Sequence, residues 1–304
     1  WADAGSDDPT DTWLRLWEHS WDDDAELRER DRGVYADPAK LHRVEVEGTY
    51  QRAAGIFAVP PTPQRTPVLF QAGTSDRGRA YAARNAEAVF IQGQSIAAAE
   101  AHVDDIRAQA VAHGRDPHDI KVISGMTVTV AATEAEARIL RDEYESVLQR
   151  ADAAVMFAGI TGLDLTGIDP DTRVVDLRTD LGQTLIQRYA RQNAEMRVGE
   201  ILDQFRTKAI RGFQITGSPE QVADEIEAIV DGSGLDGLML EPTFGGPGAY
   251  RAFIELVVPV LAARGRVSPP VGATLREHFG GGPRLAATHR AHRLAAREAA
   301  SLPS

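Results

Sequence analysis

The chain has 304 residues, of which 43% are hydrophobic, and carries a formal net charge of -12. That length and apolar content suit one large folded domain or two small ones, and the acidic balance argues against nucleic acid or an anionic membrane surface as partner. There is no cysteine, which excludes disulfides, thiolate catalysis and cysteine-based metal sites. No apolar run approaches the ~20 residues that span a bilayer, and the acidic, polar start WADAGSDDPTD does not read as a signal peptide. The expected location is the cytoplasm.

Trp13, Leu14, Leu16 and Trp17 fall at near-helical spacing and predict that residues 12–18 end a packing helix. The acidic run Asp22, Asp23, Asp24 has nothing to pair with as a metal site and reads as a solvated helix start. Residues 34–67 are rich in Gly and Pro and form an excursion with a possible hairpin, 43–46 against 48–51. From Pro67 strand and helix alternate. Residues 68–71 are a short buried strand, an Ala-rich helix follows, and residues 88–92 are the next strand. A helix over 95–113 is stopped by Gly114 and Pro117. Residues 121–132 are a β-branched strand, and Thr133 with Glu136 opens a helix to about residue 150 with a capping box. Residues 235–241 are the last strand and 250–264 the closing helix.

Alternating strands and helices mean a parallel sheet. It has four strands, and a long insertion, residues 151–217, lies between the last two. Long insertions at the C-terminal rim of such sheets shape active sites; the other reading is a surface decoration. The expected division is one domain over 1–280, insertion included, and an Ala/Arg-rich tail over 281–304, with 286–300 a solvated helix. His289 and His292 stand one turn apart without a carboxylate at matching spacing, so no metal site is assigned.

The stretch PVLFQAGTSDRGRAYAARNAEAVFIQ, residues 67–92, carries the strongest local signal. It is a βαβ unit whose first strand meets a helix start at Gly73, Thr74 and Ser75, an arrangement that suits an anion. Gln71 and Ala72 end the strand and line the same place. A phosphate on a cofactor fits there; a plain turn with a helix cap fits as well. Gln92 and Gln94 end the neighbouring strand and either touch a ligand or cap the sheet. Within the insertion, Phe157 and Thr161 are candidate substrate residues, although Phe157 suits a core equally. No catalytic acid or base stands out.

QAGTSDRGRAYAARNAEAVF resembles the signature of the bacterial-luciferase-like flavin monooxygenases, in the branch that holds nitrilotriacetate monooxygenase and dibenzothiophene sulfone monooxygenase. WEHSWDDDAELRERDRGVYADPAK, FQITGSPEQV, LDGLMLEP and TLREHFG resemble further blocks of that family in the same order. The resemblance implies the second half of a luciferase-like (β/α)8 TIM barrel. The Trp-Ser-Trp block lies well inside such chains but starts here at Trp17, which implies that the first four barrel strands are absent from this sequence. It also implies the oxygenase component of a two-component system: reduced FMN from a separate NAD(P)H:FMN reductase, O2 as co-substrate, and C–N, C–S or sulfur oxidation of a small organic substrate. Gln71, Ala72, Gly73, Thr74 and Ser75 would be the FMN phosphate loop; Gln92, Phe157 and Thr161 stay candidates for the substrate side apart from the resemblance. Other readings are a deazaflavin-dependent oxidoreductase of the same superfamily, or an inactive half-barrel that binds flavin or a partner subunit. Four strands leave unpaired edges, so a homo-oligomer is expected.

Overall fold

The computed structural model describes residues 9–47, 52–73, 75–177, 189, 193–208, 212–241, 246–267 and 269–294. Helix α1 (Pro9–His19) carries the tryptophan pattern, with Leu14 buried and Trp13 half exposed. Two antiparallel ribbons follow, β1 (Glu26–Glu29) with β2 (Val34–Ala36) and β3 (Val44–Glu47) with β4 (Arg52–Gly55). The second ribbon is the expected hairpin with its return strand shifted: it begins at Arg52, and residues 48–51 lie outside the described residues. The acidic run is a turn, in place of the solvated helix start. Each acid there has a basic partner: Asp22 with His42, Asp23 with Arg65 and Arg284, Asp24 with Lys40. Arg65 also donates to the carbonyls of Glu18 and Trp21, both at 2.7 Å, while Trp21 Nε1 donates to Phe57 O at 2.7 Å. These bonds fasten the excursion to the end of α1.

The parallel unit runs β5 (Phe70–Ala72), α2 (Asp76–Asn85), β6 (Ala88–Ile91), α3 (Ile96–Ala112), β7 (Lys121–Val130), α4 (Glu134–Val147), α5 (Arg150–Thr161), α6 (Val198–Lys208), β8 (Phe213–Gly217), α7 (Pro219–Ser233) and β9 (Gly237–Leu240). A helix follows over Pro247–Ala252 and continues through a π-helical turn, Phe253–Val257, into Val258–Ala263. The first half of β7 pairs with β6 on one edge and β9 on the other, and its second half pairs with β8. The sheet therefore has five strands where four were expected. The extra strand, β8, falls inside the range 151–217, so the end of the predicted insertion belongs to the sheet. The capping box of α4 forms as predicted, with Glu136 N–H on Thr133 Oγ1 and Thr133 N–H on Glu136 Oε2, but the helix stops at Val147.

One face of the sheet is the core. Val89, Ile91, Val122, Met126 and Ile215 meet Val103 and Ile106 of α3 and Val222 and Ile229 of α7, all buried. Each such side chain contributes roughly 1.5–3 kcal/mol. A separate cluster, with Phe157, Leu165, Val174, Ile201 and Phe205, joins α5 and α6. The other face of the sheet leaves Phe70 and Met239 50% and 44% exposed. Among the described residues no helix is long and apolar enough to cross a membrane.

Within the described residues, 287–290 form turns in place of the expected solvated helix, a helix is present at 291–294, and the segment is partly buried. Leu285, Ala291 and Leu294 pack on Leu14 of α1, and Arg290 forms a buried ion pair with Asp11 and bonds Asn85. Residues 295–304 lie outside the described residues. Arg276, 3% exposed, holds both carboxylate oxygens of Glu87 at 2.5 and 3.0 Å and the carbonyls of Gln64 and Thr66. His289 donates from Nε2 to Asn85 O at 3.0 Å and accepts at Nδ1 from Ala291 N–H at 3.2 Å, so the neutral ring is satisfied on both sides. His292 is likewise turned to a backbone carbonyl, that of Leu285.

Burial pushes the His289 pKa down to about 4, against the opposing bond to Asn85 and with Arg115 and Arg290 adding to the shift. The unfolded ring titrates near its ordinary value, so between about pH 6.5 and 4 the unfolded chain binds a proton that the folded chain does not. Stability should therefore fall across that window on acidification, by up to about 3 kcal/mol. Melting temperature followed against pH should show this slope, and His289→Gln should flatten it; an unchanged slope in the variant would assign the loss to other groups.

Candidate functional site

The C-terminal ends of β5, β6 and β9 lie together at one end of the sheet, beside the middle of β7. At the end of β5 the chain turns into α2 through Gly73, whose φ of +130° is a backbone conformation that side-chain-bearing residues rarely adopt. Among the described residues nothing stands within 4 Å of the position a Cβ would take there, so the turn is open to them on that side. Its N–H donates to Phe90 O at 3.2 Å, which ties the turn to β6. Ser75 is the helix cap: its Oγ accepts from Gly78 N–H at 3.2 Å. The hydroxyl keeps its own proton to donate outward. The first-turn N–H groups of α2, at Asp76 and Arg77, have no acceptor within the helix and carry the positive end of its dipole. The Asp76 carboxylate, which would oppose an anion, is drawn to Arg79 at 2.8 Å. Ala72, Gly73 and Ser75 are exposed, and Gln71 is half-buried with its amide on Ala72 O at 3.0 Å. Thr74 lies outside the described residues.

Gln92 lies at the end of β6, just past Ile91, and on the face opposite the core. Its Nε2 donates to Glu241 Oε1 at 3.0 Å, reaching from β6 across β7 to the end of β9. The bridge exists because residue 125 of β7, between them, is glycine. A Cβ on Gly125 would sit 2.7 Å from the Glu241 carboxyl carbon. Gln92 Oε1 and Thr127 Oγ1 are buried without a hydrogen-bond partner among the described residues. Sequence reasoning missed Glu241. The available signal was Gly125 itself, a glycine inside a β-branched strand, which marks a close approach by another group.

Among the described residues no hydrogen bond or ring contact brings Phe157 or Thr161 to this rim. Phe157 is 1% exposed and meets Phe205 edge-on, centroids 5.2 Å apart. Thr161 Oγ1 donates to Phe157 O at 2.7 Å and accepts from Leu163 N–H at 3.1 Å, closing the end of α5. Phe157 packs inside the α5–α6 cluster, while Thr161 closes the end of α5. Among the described residues no group of three or more His, Asp or Glu side chains converges to hold a metal.

The open, exposed turn at Gly73, the first-turn N–H groups of α2 and the Ser75 hydroxyl are a donor set for a phosphate, and the donor chemistry fits the phosphate end of FMN. The profile of the luciferase-like monooxygenase family matches residues 8–237. The chain is 36% identical over 264 residues to the dimethyl-sulfide monooxygenase of Hyphomicrobium sulfonivorans, covering 86% of this chain and 54% of that protein. It is 32% identical over 275 residues to nitrilotriacetate monooxygenase component A of Aminobacter aminovorans, covering 88% and 60%. Among solved structures it resembles a riboflavin lyase crystallised with modified FMN and riboflavin, at 38% identity and a TM-score of 0.80, covering 94% of this chain and 63% of that one. The chain thus spans about three fifths of the length of the relatives it matches. A family match over most of the chain, with the parallel sheet and the β5–α2 turn in place, makes this chain a member of the luciferase-like monooxygenase family.

Proposed function

We propose that this chain supplies the phosphate-binding side of a flavin site in a two-component monooxygenase that oxidises a small organic molecule, at sulfur or at a C–S or C–N bond. The observation that carries this reading is the open turn at Gly73 beside the exposed start of α2, on a chain whose relatives are named as monooxygenases. When bound, reduced FMN supplies the electrons that activate O2. In this reading the chain's own residues do the following. Gly73, whose own N–H is held by Phe90 O, shapes the turn, and Thr74 and Ser75 bind the phosphate through backbone N–H groups and hydroxyl protons. Gln71 and Ala72 line the approach. Gln92, fixed in one orientation by Glu241, orients the ribityl chain or the substrate. Phe70 and Met239, on the exposed sheet face, exclude water once that face is covered. A separate NAD(P)H:FMN reductase delivers the flavin, as the name "component A" of one relative suggests for that system. Among the described residues β5 pairs only with β6 and β9 only with β7. The rest of the pocket wall, in this reading, pairs along those two open edges, from further chain or from a second copy.

The function is tested by supplying NADH, a flavin reductase, FMN and O2 with dimethyl sulfide as trial substrate. Formation of an oxidised product that requires the chain supports the reading, and identical oxygen uptake and products without the chain contradict it. The loop is tested separately. Ser75→Glu places a carboxylate at the phosphate position, so the affinity for FMN should fall at least about tenfold, ~1.4 kcal/mol, while riboflavin, which lacks the phosphate, should be much less affected. Equal effects on both flavins would remove the loop from the site. Gly125→Ala should push the Glu241 carboxylate aside and release Gln92, at a stability cost of about 1–3 kcal/mol. Denaturant unfolding measures that cost, and a neutral substitution would mean the carboxylate is not confined there.

A further inference from the structure

The opposite, N-terminal end of the sheet holds a second pocket, lined by Arg115, Lys121, Arg276 and Arg284 together with Glu87 and Asp119. Four cations against two carboxylates stand out in a chain whose net charge is -12. Both acids are already engaged. Glu87 gives its two oxygens to Arg276, and Asp119 Oδ2 accepts from Thr288 Oγ1 at 3.1 Å. Arg284 is paired with Asp23 at 3.0 Å.

Arg115 and Lys121 differ from the other two cations. Arg115 is 4% exposed, yet of its five N–H donors one bond is made, from Nη1 to Ala83 O at 2.9 Å. Its Nε is buried without a partner, and among the described residues no carboxylate pairs with it. Burial pushes its pKa down, against the opposing pull of the nearby Asp119 and Glu87 carboxylates, neither of which bonds it. Lys121 Nζ donates to His118 O at 2.8 Å and likewise has no acid partner among the described residues. A buried guanidinium with one neutral acceptor is costly unless something else completes its shell.

We propose that this pocket binds a small oxyanion of the phosphate class, with Arg115 and Lys121 as the main donors and Arg284 reaching it from the tail. Arg115 precedes β7, Lys121 begins it, and Arg284 belongs to the segment that returns to α1. The anion therefore joins the sheet to the C-terminal segment and holds that segment in place. The site is independent of the flavin reading, because it lies at the other end of the strands and uses none of the same residues.

Thermal unfolding of the 304-residue chain tests this, with inorganic phosphate and glycerol 3-phosphate as probes and ionic strength matched with sodium chloride. The expected result is a saturable rise in melting temperature of about 2–4 °C that disappears in Arg115→Gln and in Lys121→Gln. A plateau with inorganic phosphate alone identifies the free ion, and tighter binding of glycerol 3-phosphate identifies the phosphoryl end of a larger molecule; either supports the site. Lys121 is only half-buried, so Lys121→Gln keeps the test decisive if Arg115→Gln does not fold. A rise that never saturates, or one of equal size in wild type and Lys121→Gln, is a general salt effect and overturns the proposal.

Discussion

Three strands converge on β7, and at Gly125 two of its neighbours need the same space. The Glu241 carboxylate lies over residue 125, and the backbone at Gly212 approaches so closely that a Cβ there would stand 1.9 Å from the Gly125 carbonyl oxygen. Only the absence of side chains at both positions lets β8 join the sheet while the Gln92–Glu241 bridge spans the strand. The rim depends on that arrangement. The bridge fixes the end of β6, and β6 in turn holds the Gly73 turn through the Phe90 carbonyl.

The two ends of the sheet are built from different chemistry. At the C-terminal rim the groups are neutral donors with the carboxylates of Glu241 and Asp76, and the exposed helix start of α2 is among them. At the other end the chain is fastened by buried charges, Arg276 on Glu87 and Arg290 on Asp11, both pairs carrying further polar contacts. Such pairs add little net stability over an apolar packing of the same shape, but breaking one leaves an uncompensated charge and costs about 3–5 kcal/mol. They serve to place the tail in one register on α1 and α2. The proposed flavin-phosphate turn lies at the carboxyl ends of the strands, where the general rule for parallel α/β sheets puts ligands.

Much of this was legible in the sequence for local reasons. The β-branched run from Lys121, the Thr133–Glu136 box and the Gly73 turn are encoded within a few residues, and the structure has each of them close to where its pattern lies. Family likeness was legible because its motif blocks keep their order. What escaped depended on contacts distant in sequence. Glu241 meets Gln92 across 149 residues, and the tail is held by Arg290 across 279. β8 was absorbed into the predicted insertion because five residues of alternating burial carry little signal beside the helices around them. Ala286 onward looked like a solvated helix because composition records arginine as a surface residue and cannot show that Asp11 waits for it. Phe157 suited pocket and core alike from the sequence, and in the structure it lies buried against Phe205.

The central claim is that the β5–α2 turn holds the phosphate of a reduced flavin. The most direct test is an anaerobic titration of the 304-residue chain with reduced FMN, followed by fluorescence. Saturable binding at micromolar concentration, weakened by competing inorganic phosphate, is the predicted result. A titration with no saturable phase, or one indifferent to phosphate, would contradict the account.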